Sequence, residues 1–265
     1  MTLHAVDLDE LVLYTACPLC DCEELSFLLS SDCTTHPSYR PGMSSELNWH
    51  TCDRCGHVFR NGYYTEQAAA LIFAEVDADK EVGQDLERWR VMSAKMIERV
   101  LPYRNSGAWL DVGFGNGSLL FTAAEFGFRP IGCDLRSKSV ETMKNLGIEA
   151  YCADVSDLQL GHTVSVVSMG DVLEHIPYPK EALHTSHRLL DDGGVLLLSM
   201  PNFETMVWRA LDMNAVNPYW GEIEHYHNFS RTRLYEVLAE TGFEVLSYGI
   251  SERYRTCMEV LARKA

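Results

Sequence analysis

No apolar run in the 265 residues approaches the ~20 that a helix needs to span a bilayer, so a membrane protein is not expected. Positive charge is scarce: 22 Lys and Arg stand against 38 Asp and Glu, a formal net charge of -16 at pH 7. Phosphate backbones are held by clustered cations, and that balance argues against a nucleic-acid partner. The opening MTLHAVDLDE lacks a basic start followed by an apolar stretch, so it is not a secretory signal and a cytoplasmic setting is expected. Low-complexity tracts and internal repeats are also missing. What remains is an ordinary globular composition, 46% hydrophobic, long enough for one large domain or for a core domain with a small appendage.

The nine cysteines are an odd number in a chain without an export signal, which points to reduced thiols and some metal binding instead of a disulfide framework. Four of them form two C-x-x-C pairs, Cys17/Cys20 and Cys52/Cys55, each in a polar, turn-rich context. Two such knuckles suit a tetrahedral structural Zn2+ closed by four protein ligands. Cys33, His36 and His50 lie between the pairs as alternative ligands, and a redox pair or scattered core cysteines are the competing readings. Residues 1–62 are therefore expected to form a small zinc ribbon.

The rest of the chain is organised around WLDVGFGNG, Trp109 to Gly117. An apolar run ends in Asp111, breaks at Gly113, Gly115 and Gly117, and resumes as the helical pattern SLLFTAAEF. Strand, glycine turn and helix in that order allow a nucleotide to approach the backbone closely. The next apolar run ends in Asp134, followed by Leu135, and a carboxylate at that tip suits two ribose hydroxyls. The glycines read D-x-G-x-G-x-G, whereas a dinucleotide site wants G-x-G-x-x-G. Asp111 beside the turn disfavours a pyrophosphate and suits a ligand bearing an ammonium and a sulfonium, as S-adenosylmethionine does.

At these residues the sequence resembles the class I S-adenosylmethionine-dependent methyltransferases, from roughly residue 94 to 260. The resemblance implies an α/β, Rossmann-like, seven-stranded and mostly parallel sheet over 106–265, with helices on both faces and the last strand antiparallel. It implies that Gly113, Phe114, Gly115 and Gly117 line the cofactor with Asp111, Asp134 and Leu135. It also assigns the adenine to Asp154 and Val155, and the methionine moiety to the backbone of Met169 and Gly170. Residues 63–105 read as a helical lid or linker, with Leu86, Trp89, Met92, Met96, Ile97 and Val100 on one face and Tyr63 and Tyr64 as pocket candidates.

The long connection MNAVNPYWGEIEHYHNFS, 213–230, is dense in residues that titrate, stack or hydrogen-bond, and long loops in compact domains tend to be functional. Its Glu224-His225 resembles an E-H element of sugar C-methyltransferases, which is assigned there to substrate deprotonation. His225 oriented by Glu224 is the expected base, with His227 and Tyr226 as second choices and His175 of VLEHI as a further candidate. Sugar C-methyltransferases carry a further C-terminal domain, and this sequence stops at Ala265, so the expected acceptor is a small molecule with an O, N or C nucleophile, possibly a sugar or natural-product intermediate. The alternatives are a ribosomal RNA methyltransferase, a non-catalytic cofactor-binding scaffold, and an NAD enzyme. Nothing in the sequence fixes the oligomeric state.

Overall fold

The computed structural model describes residues 11–72, 80–254 and 256–265. The opening decapeptide and residues 73–76 of EQAAALIFAEV lie outside the described residues. Among the described residues no helix is long and apolar enough to cross a membrane.

The first strand of the large sheet in chain order is β6 (Gly107–Val112), an interior strand buried from Ala108 onward as expected of a parallel strand covered on both faces. β7 (Phe128–Asp134) and β8 (Glu149–Cys152) extend the sheet on one side, and β9 (Val164–Gly170) and β10 (Leu190–Pro201) on the other. β13 (Cys257–Lys264) pairs antiparallel with β10, and β12 (Phe243–Ile250) closes the edge, giving the order β12-β13-β10-β9-β6-β7-β8. This is the seven-stranded, mostly parallel sheet the resemblance implies. Helices α3 (Ser118–Glu125), α4 (Ser137–Asn145), α5 (Pro179–Leu189) and α7 (Arg231–Glu240) connect the strands. Ser230 caps α7 by accepting from the Arg233 amide at 2.9 Å.

The helix α2 (Leu86–Val100) buries Met96, Ile97 and Val100 in one cluster with Trp109, Leu120 and Phe128. Its expected apolar face is therefore used for packing on the sheet. Two local expectations change. Asp192-Gly193-Gly194 reads as a turn, but β10 begins at Leu190 and absorbs these residues as an irregularity between Leu190 and Val195, because β9 supplies pairing on both sides of it. Tyr63 and Tyr64 are not helical: they lie in β5 (Gly62–Tyr64), which pairs with β1 (Leu11–Leu13), and helix α1 (Glu66–Ile72) follows.

The N-terminal part forms a second sheet from β2 (Leu25–Asp32), β3 (Glu46–Cys52) and β4 (Val58–Arg60). Its fourth strand comes from far along the chain: β11 (His227–Asn228) pairs antiparallel with β4, His227 opposite Phe59 and Asn228 opposite Val58. The 213–230 connection is thus built into the N-terminal sheet. It also holds helix α6 (Met206–Met213) at its start and a 3-10 turn over Pro218–Gly221.

Candidate active site

At the end of β6 the chain turns sharply. Gly113 has φ 66°, and a Cβ there would sit 2.6 Å from Val172 Cγ2, so both backbone conformation and space require glycine. The Phe114 side chain packs inward against Gly132, leaving only its backbone to the turn. Asp111 is 4% exposed and opposite Ser168 in the register, whose hydroxyl donates to it at 2.6 Å while accepting from Trp109 Nε1 at 2.8 Å. Burial pushes the Asp111 carboxyl up to about 7, against the lowering influence of Ser168 and Arg253.

Asp134 and Asp154 both sit at the strand ends, as expected, but both are engaged. Arg136 grips Asp134 through Nε at 2.8 Å, Nη2 at 2.6 Å and its backbone amide at 2.9 Å. Asp154 accepts from the Ser156 amide at 2.8 Å and starts a 3-10 turn over Val155–Asp157, with the Val155 side chain in the core. Leu135 is exposed beside Asp134. Met169 is fully buried, and Gly170 is covered by Arg253, whose Nη1 donates to the Gly170 carbonyl at 3.3 Å. Arg253 also faces Asp171 at 3.5 Å and lies over the Trp89 ring.

Beyond the β9 tip, a cluster of acid and imidazole groups is buried. Asp171 takes φ 57° and carries the chain into a 3-10 turn over Leu173–His175. Glu174, His175 and His225 each bring one polar atom within 4.8 Å of the others. Among the described residues, neither Glu174 oxygen nor His225 Nδ1 has a hydrogen-bond partner. His175 Nδ1 donates to the Glu224 carbonyl at 2.8 Å, and its ring meets that of His225 edge-on at 4.7 Å. Burial, with Asp171 beside it, pushes the Glu174 carboxyl well above the usual range. Burial and the neighbouring imidazoles push His225 well below its usual value, so its ring is neutral at pH 7.

Three expectations about this loop are corrected by its contacts. His227 has no nitrogen left for chemistry: Nδ1 meets His57 Nε2 at 3.1 Å, and Nε2 donates to the Ile176 carbonyl at 2.9 Å. β11 begins at His227, which stands opposite Phe59 of β4, whereas His225 precedes the strand. Tyr226 packs into the N-terminal core beside Tyr64 and Arg60, away from the cluster. The Glu224 carboxylate does not orient His225; it accepts from Ser38 at 2.8 Å, and its backbone carbonyl orients His175 instead.

The four knuckle cysteines converge, with their sulfurs all within 4.8 Å. Cys17 and Cys55 are 3.7 Å apart and Cys20 and Cys52 3.5 Å apart. These spacings are far from a disulfide's ~2.05 Å. They lie near the roughly 3.8 Å edge of a tetrahedron with ~2.3 Å metal–sulfur bonds. The four residues therefore fit a zinc ion. Cys33 donates instead to the Ser44 carbonyl, and His36 is bonded to Glu222.

The sheet order, the glycine turn and the carboxylates at successive strand ends define the class: the chain belongs to the methyltransferase-domain family, whose model matches residues 85–248. Its fold and family are those of the class I S-adenosylmethionine-dependent methyltransferases. Among named relatives, it is 34% identical over 105 residues to the ubiquinone biosynthesis O-methyltransferase of Haemophilus ducreyi, covering 35% of this chain and 44% of that protein. It is 29% identical over 158 residues to the protein of the same name from Coxiella burnetii, covering 56% of this chain and 67% of the relative. The match thus spans less than half of the Haemophilus protein. Magnesium protoporphyrin IX methyltransferase from Synechocystis PCC 6803, solved with bound S-adenosylhomocysteine, superposes with a TM-score of 0.53 at 20% identity, over 67% of this chain and 84% of that one. The N-methyltransferase NodS of Bradyrhizobium japonicum gives 0.51 at 14% identity, over 69% and 89%.

Sequence reasoning missed Arg136, Asp171, Arg253, Ser38 and Arg60. Arg136 was within reach of a local reading, since it stands two residues after Asp134. Asp171 directly follows Gly170 at the β9 tip; Arg253, Ser38 and Arg60 come from a hairpin or from the far sheet, where no periodic signal ties them to the glycine turn.

Proposed function

We propose that the chain transfers a methyl group to the O, N or C nucleophile of a small-molecule acceptor such as a sugar or natural-product intermediate, with His225 as the base. The observation that carries this reading is the convergence of Glu174, His175 and His225 just past the β9 tip, next to Met169 and Gly170. When bound, S-adenosylmethionine supplies an electrophilic methyl on a sulfonium. Gly113, Gly115 and Gly117 give it close backbone approach, and Asp111 offers a carboxylate toward its cationic end. Asp134 would hold the ribose hydroxyls in competition with Arg136, and the Asp154–Val155 turn would hold the adenine.

An acceptor nucleophile must lose a proton as it attacks. Neutral His225 offers the unpartnered Nδ1 for it, and general-base help of this kind contributes roughly 10²–10⁴-fold. His175, fixed by the Glu224 carbonyl, keeps the His225 ring in place from its edge. Glu174 is the adjacent proton-holding group. Cys17, Cys20, Cys52 and Cys55 would hold a structural Zn2+, whose part would be to stabilise the N-terminal sheet.

The test uses radiolabelled S-adenosylmethionine incubated with the protein and a small-molecule extract. The expected result is label in a low-mass product with wild type and at least a hundredfold less with His225→Asn, while that variant still binds S-adenosylhomocysteine. Equal labelling by the two proteins removes His225 from the reaction.

A further inference from the structure

Arg60, the last residue of β4, is a cation in the interior, 2% exposed. Among the described residues no carboxylate pairs with it, and its Nε has no hydrogen-bond partner. Burying an unpaired guanidinium is costly, and an apolar side chain of similar length would fill the space without that cost. What the cation does hold is a short piece of the core. Its Nη1 donates to the Ile223 carbonyl at 2.8 Å. Its backbone amide donates to the Tyr226 carbonyl at 2.9 Å. The guanidinium lies 5.0 Å from the Tyr64 ring centroid and 5.9 Å from that of Tyr226. Ile223 and Tyr226 bracket Glu224 and His225, so Arg60 grips the first end through its guanidinium and the second through its main chain, with the guanidinium near the Tyr226 ring.

The opposite side of the same stretch is held by the β9 tip. The Tyr226 amide donates to the Glu174 carbonyl at 2.9 Å, and the Glu224 carbonyl accepts from His175 at 2.8 Å. Residues 223–226 are thus suspended between two independent anchors, one in each sheet.

We propose that Arg60 is a positioning residue: from the N-terminal sheet it fixes residues 223–226 and so aims His225 into the active site. The N-terminal sheet is then part of the catalytic apparatus and not an appended binding module. The inference rests on the reading of His225 as the base, but its own test involves no turnover, so the two can fail separately.

A second consequence is electrostatic. His225 faces His175, His36, His227 and Arg60, all of which disfavour a proton on it, and the Glu174 carboxyl, which stands beside it; the Glu224 carboxylate on the same stretch is bonded to Ser38. Removing the permanent charge of Arg60 takes away one of the repelling groups and raises the pH at which His225 protonates.

The experiment compares the full chain with Arg60→Met and Arg60→Lys by hydrogen exchange and by NMR of 13C-labelled histidine, with the His225 resonance assigned from His225→Asn. In Arg60→Met, exchange over 222–228 is expected to quicken by about tenfold or more, as local opening there becomes easier. The His225 midpoint is expected to move up. Bound zinc and S-adenosylhomocysteine affinity stay at wild-type values. Arg60→Lys, which keeps the charge, is expected to restore the His225 midpoint. A folded Arg60→Met with wild-type exchange and wild-type His225 titration overturns the proposal. Should Arg60→Met fail to fold, Arg60→Gln is read on the same two measurements, and wild-type values for both overturn it equally.

Discussion

Removing the Asp134 carboxylate tests where the ribose sits, and the structure allows its effect to be sized. The side chain is 6% exposed, and its two oxygens already accept three bonds from Arg136. Two ribose hydroxyls bonded to a carboxylate gain about 1.5–3 kcal/mol each. Freeing the oxygens breaks guanidinium bonds of the same charge-assisted kind, so much of that gain is offset. A net contribution of about 1–3 kcal/mol corresponds to roughly 5- to 150-fold in Kd. Asp134→Ala is therefore expected to weaken S-adenosylhomocysteine binding by about tenfold or more in isothermal titration calorimetry. Arg136→Met removes the competing cation and leaves the carboxylate, so it is expected to bind within about threefold of wild type or more tightly. A folded Asp134→Ala protein with an unchanged Kd refutes the placement of the ribose. Weakening by Arg136→Met equal to that by Asp134→Ala shows that the pair acts as one unit in the complex.

Three further outcomes follow from the same geometry. The folded Asp111 carboxyl, near 7, lies above its unfolded value of about 3.9, so the folded state holds the extra proton between them and loses stability as pH rises through that window; thermal melts without cofactor should show Asp111→Asn gaining on wild type between pH 5 and pH 8, and a constant difference would contradict the burial argument. Cys52→Ser is expected to lose stoichiometric zinc by metal analysis and to lower the melting midpoint by at least about 5 °C, whereas full metal content in that variant would move the site elsewhere. Gly113→Ala meets both a positive φ and Val172 at 2.6 Å, while Gly127→Ala meets a positive φ in open space; urea titration should show the first costing about 1–3 kcal/mol and the second less, and equal costs would mean that Val172 yields freely.

The glycine turn, the aspartates at the strand ends and the seven-stranded sheet were legible because each is written in a short, continuous stretch. WLDVGFGNG places strand, turn and helix start within nine residues, and the burial of β6 follows from its own composition. The occupied state of the aspartates was less visible, since it depends on Arg136 folding back and on Asp154 choosing its own turn. The histidines of the 213–230 loop divide for a reason the sequence hides. His225 and His227 look equivalent in HYH, but the pairing of β11 with a strand more than 160 residues earlier sends one ring to the acid cluster and the other against His57. Arg60 and Ser38 act on the loop through that same distant pairing, and Tyr63 and Tyr64 join a strand because Leu11–Leu13 is available to pair with them.

The two-residue strand β11 also bears on how the chain comes off the ribosome. The knuckle-bearing hairpin of β3 and β4 is made early, yet the edge of β4 has no neighbour until His227 and Asn228 have been synthesised and the core has begun to close. During that interval an unpaired edge carrying Phe59 and a buried-to-be arginine faces the solvent. Aggregation during synthesis is where substitutions in this hairpin should first be felt.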